Sequence, residues 1–328
     1  MSANLTGRRA RKAVVPVAGL GTRFAPATKA VPKEMLPVVD KPAIEYVVDE
    51  IAEAGLDDVV VVTGRGKSMI EDHFDGAPEL EAALEKKGDA ARLAAVRRSS
   101  SLARMHFVRQ GAPLGLGHAV LQGKDHVAGE PFAVLLGDDL IDPRDPLLID
   151  MVAVQERLGG SVVALVEVDA EDTEGCDVAV VEPVDVTVGS LADGDVVAVR
   201  EIAGRPRTGA APSNLAVVGR YVLDPAVFGV LEQTPPGRGD EIQLTDALQT
   251  LAEMDPADGG GVHGVVFRGR RYDTGDKLDY LKAVIRIAAE RDDLGADLTE
   301  WLGSWVEARR ITLGSTPEDR AAQTSAIP

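Results

Sequence analysis

Two short apolar runs, KAVVPVAG from Lys12 and DDVVVVTG from Asp57, bracket the stretch AIEYVVDEIAEAG, whose apolar positions recur at helical spacing and which ends on Gly55. Strands that are apolar at nearly every position are buried on both faces. The pattern is a βαβ unit, which dictates a parallel sheet with helices packed against it. The alternation continues with MHFVRQ, GHAVLQGKDHVAG and PFAVLLGDD, read as strand, helix and strand. Residues 67–104, centred on ELEAALEKKGDAARLAAV, predict a charged helical excursion from the core. In the second half GSVVALVEV, DVAVVEPV, DVVAVREI and NLAVVGRYVL are separated by Gly, Asp and Pro, which predicts an antiparallel or mixed part of the sheet. Helical patterns return at 224–233, 242–254 and 276–291. The expected fold class is α/β, a doubly wound, Rossmann-like mixed sheet with helices at the carboxyl end. It divides into a basic leader over 1–11, an α/β core over 12–254, a closing strand and helices over 255–313, and a tail over 314–328 without apolar periodicity.

Charge and cysteine usage exclude several function classes. The formal net charge of -18 opposes a general nucleic-acid or anionic-membrane surface. No apolar run approaches the roughly 20 residues of a membrane span. The basic amino terminus leads directly into the first strand, with no separate hydrophobic segment of a signal peptide, so a cytoplasmic location is expected. Cys176 is the only cysteine, which rules out an intrachain disulfide and a thiolate cluster. His118 reads as a structural or capping residue, and His73, His106, His126 and His263 have no spacing that suggests a metal site.

The stretch VAGLGTRFAPATKAVPKEMLPV, 17–38, follows the first strand, and core packing does not require its make-up. In an open α/β sheet the loop after the first strand lines the ligand crevice. Gly19 and Gly21 permit backbone N–H groups to approach phosphate oxygens, and Arg23 and Lys33 supply fixed positive charge. A glycine-rich turn with surface cations would have the same spacing. A Walker loop is excluded, because Gly-Leu-Gly-Thr-Arg lacks the required Gly-Lys-Ser/Thr, and Phe24 stands where a dinucleotide fingerprint needs its third glycine.

The complete string PVAGLGTRFAPATKAVPKEMLPVVDKP is similar to the signature of the nucleotidyltransferases that make sugar nucleotides, and most resembles their bacterial UTP–glucose-1-phosphate uridylyltransferase branch. GLGHAV, LLGDDL, APSNLAVVGRYVL, GDEIQLTDAL and YDTGDKLDYLKA extend the resemblance, in order, over most of the chain. It implies the nucleotidyltransferase fold, homodimers or homotetramers, and Mg2+-assisted attack of a sugar 1-phosphate on the α-phosphorus of UTP, releasing pyrophosphate. That nucleophile is already ionised at neutral pH, so catalysis rests on positioning and charge neutralisation. The resemblance assigns Arg23 to the pyrophosphate side and Lys33 to the α-phosphate. Ala18, Gly19, Gly21 and Thr22 would contact the nucleotide; Glu34 either touches the base or pairs with a nearby cation. Gln110 offers a donor and an acceptor to the uracil edge, with Gly115 and Gly117 letting base and ribose lie against backbone. Asp138 is the first metal ligand and Asp273 the second, with Asp139 beside the nucleotide. The sugar-phosphate side comprises Gly175, Arg205, Asn214, Asp240, Glu241 and Gln243, although Asp240 and Glu241 also suit the start of a helix.

Two positions depart from the family pattern. EIAGRPRTGAAPSN places Arg205 at the lysine and Gly204 at the glutamate of the usual Val-Glu-Lys-Pro segment, and Glu174 replaces the aromatic before Gly175. Arg205 can hold a phosphate, but Gly204 has no side chain with which to accept a hydroxyl. Uridylyl transfer to glucose 1-phosphate is the expected reaction. Transfer to another hexose 1-phosphate, thymidylyl transfer, and a non-catalytic sugar-nucleotide-binding paralogue are the alternatives.

Overall fold

The computed structural model describes residues 9–207 and 209–314, so the expected leader is described only from Arg9 and the expected tail only at Gly314. The first strand, β1 (Lys12–Pro16), is followed by the long loop, a small hairpin of β2 (Pro37–Val38) and β3 (Lys41–Pro42), helix α1 (Ala43–Glu53) and β4 (Asp58–Thr63). The charged stretch forms α2 (Ser68–Phe74), α3 (Pro78–Lys87) and α4 (Ala90–Ser99), then enters β5 (Arg104–Arg109). Gly88, with φ +69°, ends α3, and the Asp89 carboxylate caps α4 by accepting from the Arg92 N–H at 3.2 Å. Next come α5 (Leu116–Leu121), α6 (Lys124–Val127), β6 (Phe132–Leu135), β7 (Asp139–Ile141), α7 (Leu147–Leu158) and β8 (Ser161–Glu167).

The second half supplies β9 (Val178–Pro183), β10 (Val196–Ala203), β11 (Leu215–Leu223), α8 (Ala226–Leu231) and α9 (Leu244–Glu253). It closes with β12 (Val262–Val266), β13 (Arg271–Asp273), α10 (Lys277–Ala289) and α11 (Gly295–Gly314). The main sheet has the order β5-β4-β1-β6-β11-β8-β12-β10-β9. The strands β5, β4, β1 and β6 are parallel, whereas β11 is antiparallel to β6 and β8, and β10 to β12 and β9. The mixed α/β architecture is the one expected from the sequence. Among the described residues no helix is long and apolar enough to cross a membrane.

Strand periodicity divides the core into two layers. Val15, Val59 and Val61 face α1 and α7, packing with Ile44, Val48, Ile51, Leu148 and Met151. Their neighbours Val14, Val60 and Val62 point to the other face, against Val120 of α5, Phe228 of α8 and Leu248 of α9. Phe132 stacks on Phe228 at 5.0 Å. Each such side chain contributes roughly 1.5–3 kcal/mol by leaving water. A smaller cluster of Val38, Tyr46, Leu140, Tyr272 and Ala283 packs α10 over the β7–β13 pair. That cluster brings residues from opposite halves of the chain to one end of the parallel strands.

Candidate active site

The loop after β1 is folded back on itself by three short 3-10 turns, Thr22–Phe24, Ala27–Lys29 and Lys33–Met35. Gly21 makes this return possible: its φ is +66°, and a Cβ there would meet Thr28 Cγ2 at 3.2 Å and Lys33 Cβ at 3.3 Å. Thr28 Oγ1 donates to the Gly21 carbonyl at 2.7 Å and fixes the closure. The backbone of Gly19, by contrast, faces open space, with nothing within 4 Å of a notional Cβ. A cleft of about 350 Å³ lies beside it, bringing Ala18, Gly19, Arg23, Lys33 and Glu34 together with Gln110, Gly115, Asp138 and Glu241. A second cleft, of about 370 Å³, shares Ala18, Gly19 and Gln110 and adds the cations Lys29, Arg65 and Lys67. Gly21, Thr22 and Gly117 flank these clefts without lining either.

Asp138 leaves the end of β6, and Asp273 is the last residue of β13. Arg23 bridges them, with Nη1 3.1 Å from Asp273 Oδ2 and Nη2 3.9 Å from Asp138 Oδ2, and Lys33 Nζ forms an ion pair with Asp138. The Asp138 backbone is held by the fully buried Thr274, whose N–H and Oγ1 donate to the Asp138 carbonyl at 2.8 and 2.7 Å. Gly275 is equally specific. A Cβ there would lie 2.6 Å from both Arg23 Nη2 and Asp138 Oδ2 and 2.9 Å from Asp273 Oδ1, so oxygens of both carboxylates converge on one small cradle. Two hard oxygen donors beside a phosphate-sized cleft suit Mg2+, which takes one or two protein carboxylates and fills its shell with phosphate and water. The residues present therefore fit that ion. Arg23 and Lys33 pair with the same carboxylates.

Asp139 requires a correction. The sequence placed it beside the nucleotide, but it is 3% exposed and turned into the protein, because consecutive residues at a strand end face opposite sides. Its Oδ2 accepts from the Gly219 N–H at 2.7 Å, and its Oδ1 lies 2.7 Å from Arg271 Nε. A Cβ on Gly219 would come within 2.5 Å of Asp139 Oδ2, which accounts for the glycine. Arg220, fully buried, donates to the Asp139 carbonyl at 2.6 Å and pairs with Glu50 at 2.8 Å. Asp139 thus buttresses the turn that presents Asp138. Of the two readings of Glu34, the cation pair is the one observed: it is 1% exposed, and Lys67 Nζ donates to its Oε2 at 2.7 Å. Burial pushes the Glu34 carboxyl above its ordinary value, against the opposing pull of Lys67 and Lys33.

On the base side, Gln110 Nε2 reaches the Gly115 carbonyl at 3.1 Å and His118 Nδ1 at 2.9 Å, and Gln122 contacts the other ring nitrogen of His118 at 3.3 Å. His118, expected to be a structural or capping residue, holds these two glutamine side chains. Gly115 and Gly117 are needed for a reason the sequence did not disclose. A Cβ at Gly115 would meet the Ile242 carbonyl oxygen at 2.7 Å, and one at Gly117 would meet it at 2.9 Å. The two segments share backbone hydrogen bonds, from Ile242 N–H to the Leu114 carbonyl and from Gly117 N–H to the Ile242 carbonyl, each 2.8 Å. This tie places Glu241 on the cleft, while Gln243 donates to the Arg238 carbonyl at 2.9 Å. Asp240 is exposed with φ +60°, and α9 begins only at Leu244.

Gly175, Arg205 and Asn214 lie on other loops and do not line the cleft that holds Arg23 and Asp138. Val168 N–H donates to the Asn214 carbonyl at 3.0 Å, and burial pushes the thiol of Cys176, the residue after Gly175, above its ordinary value. The sequence reading missed Lys67, Thr274, Gly275 and Arg220. The Thr-Gly after Asp273 was a visible signal for two of them, whereas Lys67 in GRGKS had none.

Comparison with known proteins adds independent findings. A family model described as nucleotidyl transferase matches residues 12–290. The chain is 44% identical over 295 residues to a UTP--glucose-1-phosphate uridylyltransferase of Staphylococcus epidermidis, covering 90% of this chain and 98% of that protein. It is 43% identical over 304 residues to the protein of that name from Bacillus subtilis, covering 93% and 100%. Among solved structures, the UTP-bound UGPase from Acinetobacter baumannii is similar with a TM-score of 0.80 at 40% identity, over 89% of this chain and 98% of that one. A UDP-glucose pyrophosphorylase complexed with UDP-glucose is similar with a TM-score of 0.74 at 38% identity, over 86% and 100%.

Proposed function

The chain belongs to the nucleotidyl transferase family, and on that premise we propose how its residues act. It is a UTP–glucose-1-phosphate uridylyltransferase, joining UTP and glucose 1-phosphate into UDP-glucose and pyrophosphate. A phosphate oxygen of the sugar forms a bond to the α-phosphorus while the bond from that phosphorus to the bridging oxygen breaks, and pyrophosphate leaves with the electron pair. The open backbone at Gly19 receives the triphosphate, Lys33 takes charge from the α-phosphate, and Arg23 holds the leaving pyrophosphate. Both cations are already in the cleft, held by Asp138 and Asp273, so substrate exchanges one set of ion pairs for another. Asp138 and Asp273 would hold Mg2+, which when bound supplies Lewis-acid charge to the reacting phosphates. Thr274 keeps Asp138 aimed, and the segment around Ile242 keeps the base loop closed over Gln110.

Gln110 would read the uracil edge, and Glu241 with Asp240 and Gln243 would meet the sugar. Arg205, Gly175 and Asn214 would approach it from the second loop cluster. At Gly204 a carboxylate is still at hand: Asp177 Oδ1 lies 3.8 Å from where a Cβ would sit, and no other atom is within 4 Å. That gives the sugar hydroxyls an acceptor in place of the missing glutamate. The enzyme would assemble as a homodimer or homotetramer, a proposal supported by the exposed Leu278 and Leu281 of α10 and Trp301 and Trp305 of α11. Light scattering that returned a monomer mass would refute it.

The observation that carries the reaction is the convergence of Arg23, Lys33, Asp138 and Asp273 on one cleft beside Gly19. The test is pyrophosphate release with magnesium, UTP and a panel of hexose 1-phosphates. Glucose 1-phosphate should be turned over and Asp138→Ala should abolish release; turnover surviving in that variant would overturn the assignment of the carboxylate.

A further inference from the structure

A second group of donor side chains converges far from the cleft. The parallel strands point their carboxyl ends at the loop after β1, so Asp58, the first residue of β4, stands at their opposite, amino-terminal end. His106 comes from the neighbouring β5 and His126 from α6, and nothing in the sequence spacing joins the three. Asp58 Oδ1 is 2.7 Å from His126 Nε2 and 3.4 Å from His106 Nε2, and the three donor atoms all lie within 4.8 Å of one another. The imidazole centroids are 4.6 Å apart, with both rings turning the same nitrogen to the same oxygen. His106 is half exposed, which leaves one side of the cluster open to water.

The neighbouring cations engage atoms other than Asp58 Oδ1. Arg104 Nη2 lies on the other carboxylate oxygen, 3.6 Å from Asp58 Oδ2, and also reaches Asp57 at 3.7 Å. Lys12 Nζ donates to the His126 and Val127 carbonyls at 3.1 Å each and pairs with Glu130 at 3.3 Å. Asp58 Oδ1 and two imidazole nitrogens therefore remain as a three-donor set on three different elements.

We propose that Asp58, His106 and His126 bind a divalent first-row transition ion of the zinc type, clamping α6 to β4 and β5. Two imidazoles and one carboxylate are the donors that zinc, nickel and copper prefer, and water completes the shell on the His106 side. Magnesium, a hard ion that takes oxygen donors, has no preference for this set, so the site is chemically distinct from Asp138 and Asp273. Metal–donor bonds of about 2.0–2.2 Å require donors roughly 3–3.5 Å apart; the two Asp58 pairs, at 2.7 and 3.4 Å, are close to that, and the two imidazole nitrogens, within 4.8 Å of each other, draw together on the ion. Binding takes an unprotonated nitrogen from each ring, so the His126 hydrogen bond to Asp58 gives way and any proton on that nitrogen leaves.

The experiment is a cobalt(II) titration of chelator-treated full-length protein in excess magnesium, read by visible absorption, followed by displacement with zinc. One ion per chain should bind. His106→Ala, at a half-exposed position, and His126→Gln should each weaken binding by at least about tenfold. Both should also cancel the zinc-induced rise in Tm expected of the parent, since a ligand that binds only the folded state stabilises it. Magnesium-dependent pyrophosphate release should be unchanged in His106→Ala, which certifies its fold, and Asp138→Ala should bind cobalt as the parent does. No cobalt binding in excess magnesium, or binding indifferent to both histidine variants or lost in Asp138→Ala, would overturn the proposal and leave an Asp–His hydrogen bond.

Discussion

Gly275→Ala adds a single methyl group where three functional atoms meet. The new Cβ would lie 2.6 Å from Arg23 Nη2, 2.6 Å from Asp138 Oδ2 and 2.9 Å from Asp273 Oδ1, so each must retreat by roughly 0.5–0.8 Å to reach ordinary contact. Gly275 is not among the residues with positive φ, so alanine introduces no backbone strain. Arg23 is 58% exposed and can swing away, which costs at most about 1 kcal/mol of folding stability for a surface ion pair. The carboxylates have less freedom, because Thr274 pins the Asp138 backbone and the Gly275 N–H holds Asp273 Oδ1 at 2.8 Å. A displacement approaching 1 Å at the reacting phosphates costs about 10²-fold in turnover, or about 2.7 kcal/mol of transition-state stabilisation. The assay is pyrophosphate release at saturating UTP and glucose 1-phosphate, with Tm measured on the same preparation. Loss of kcat with an unchanged Tm is expected. Full turnover in the variant would refute the cradle, and a fall in Tm large enough to account for the activity loss would reassign it to folding.

Two further predictions rest on buried ionisable groups. Lys67→Met leaves the Glu34 carboxylate buried without its partner and should destabilise the fold by about 3–5 kcal/mol, while the double change Glu34→Gln with Lys67→Met should recover most of that; additive losses by denaturant unfolding would refute the pairing. His263 is held below its ordinary value of 6.5 by burial and by Arg200, so its contribution to stability is present above about pH 6.5 and is lost as pH falls through the lower folded value. His263→Gln should accordingly flatten the acid side of the Tm profile, and an unchanged profile would show that the ring is not the source of that slope.

The fold was legible because the strands carry two signals at once. Val14 and Val15, or Val60 and Val61, are all apolar, which marks a strand covered on both faces, and their alternation sorts them into two layers. The loop after β1 stood out as a candidate through its glycines and cations, which core packing does not require, and the structure brings Arg23 and Lys33 to the cleft beside Gly19. Asp138 and Asp139 were harder to separate, because adjacent acids carry no mark of which faces the cleft; the deciding partners, Gly219 and Arg220, lie some eighty residues away. Gly115 and Gly117 suggest room for a base from sequence alone, and the atoms that would exclude a Cβ there, from Leu231, Glu241 and Ile242, are distant along the chain. Lys67, His106 and His126 acquire their partners only when distant strands and helices pack, and spacing along the chain cannot express that.

The backbone tie between Gly117 and Ile242 has a consequence for how such an enzyme can change. The loop that closes on Gln110 and the segment that places Glu241 on the cleft are one mechanical piece, joined by two main-chain hydrogen bonds and by the glycines at 115 and 117 that leave room for them. On the roles proposed above, a substitution at residues 240–243 that admits a different sugar would shift the grip on the nucleotide as well, so donor and acceptor specificity would be inherited together.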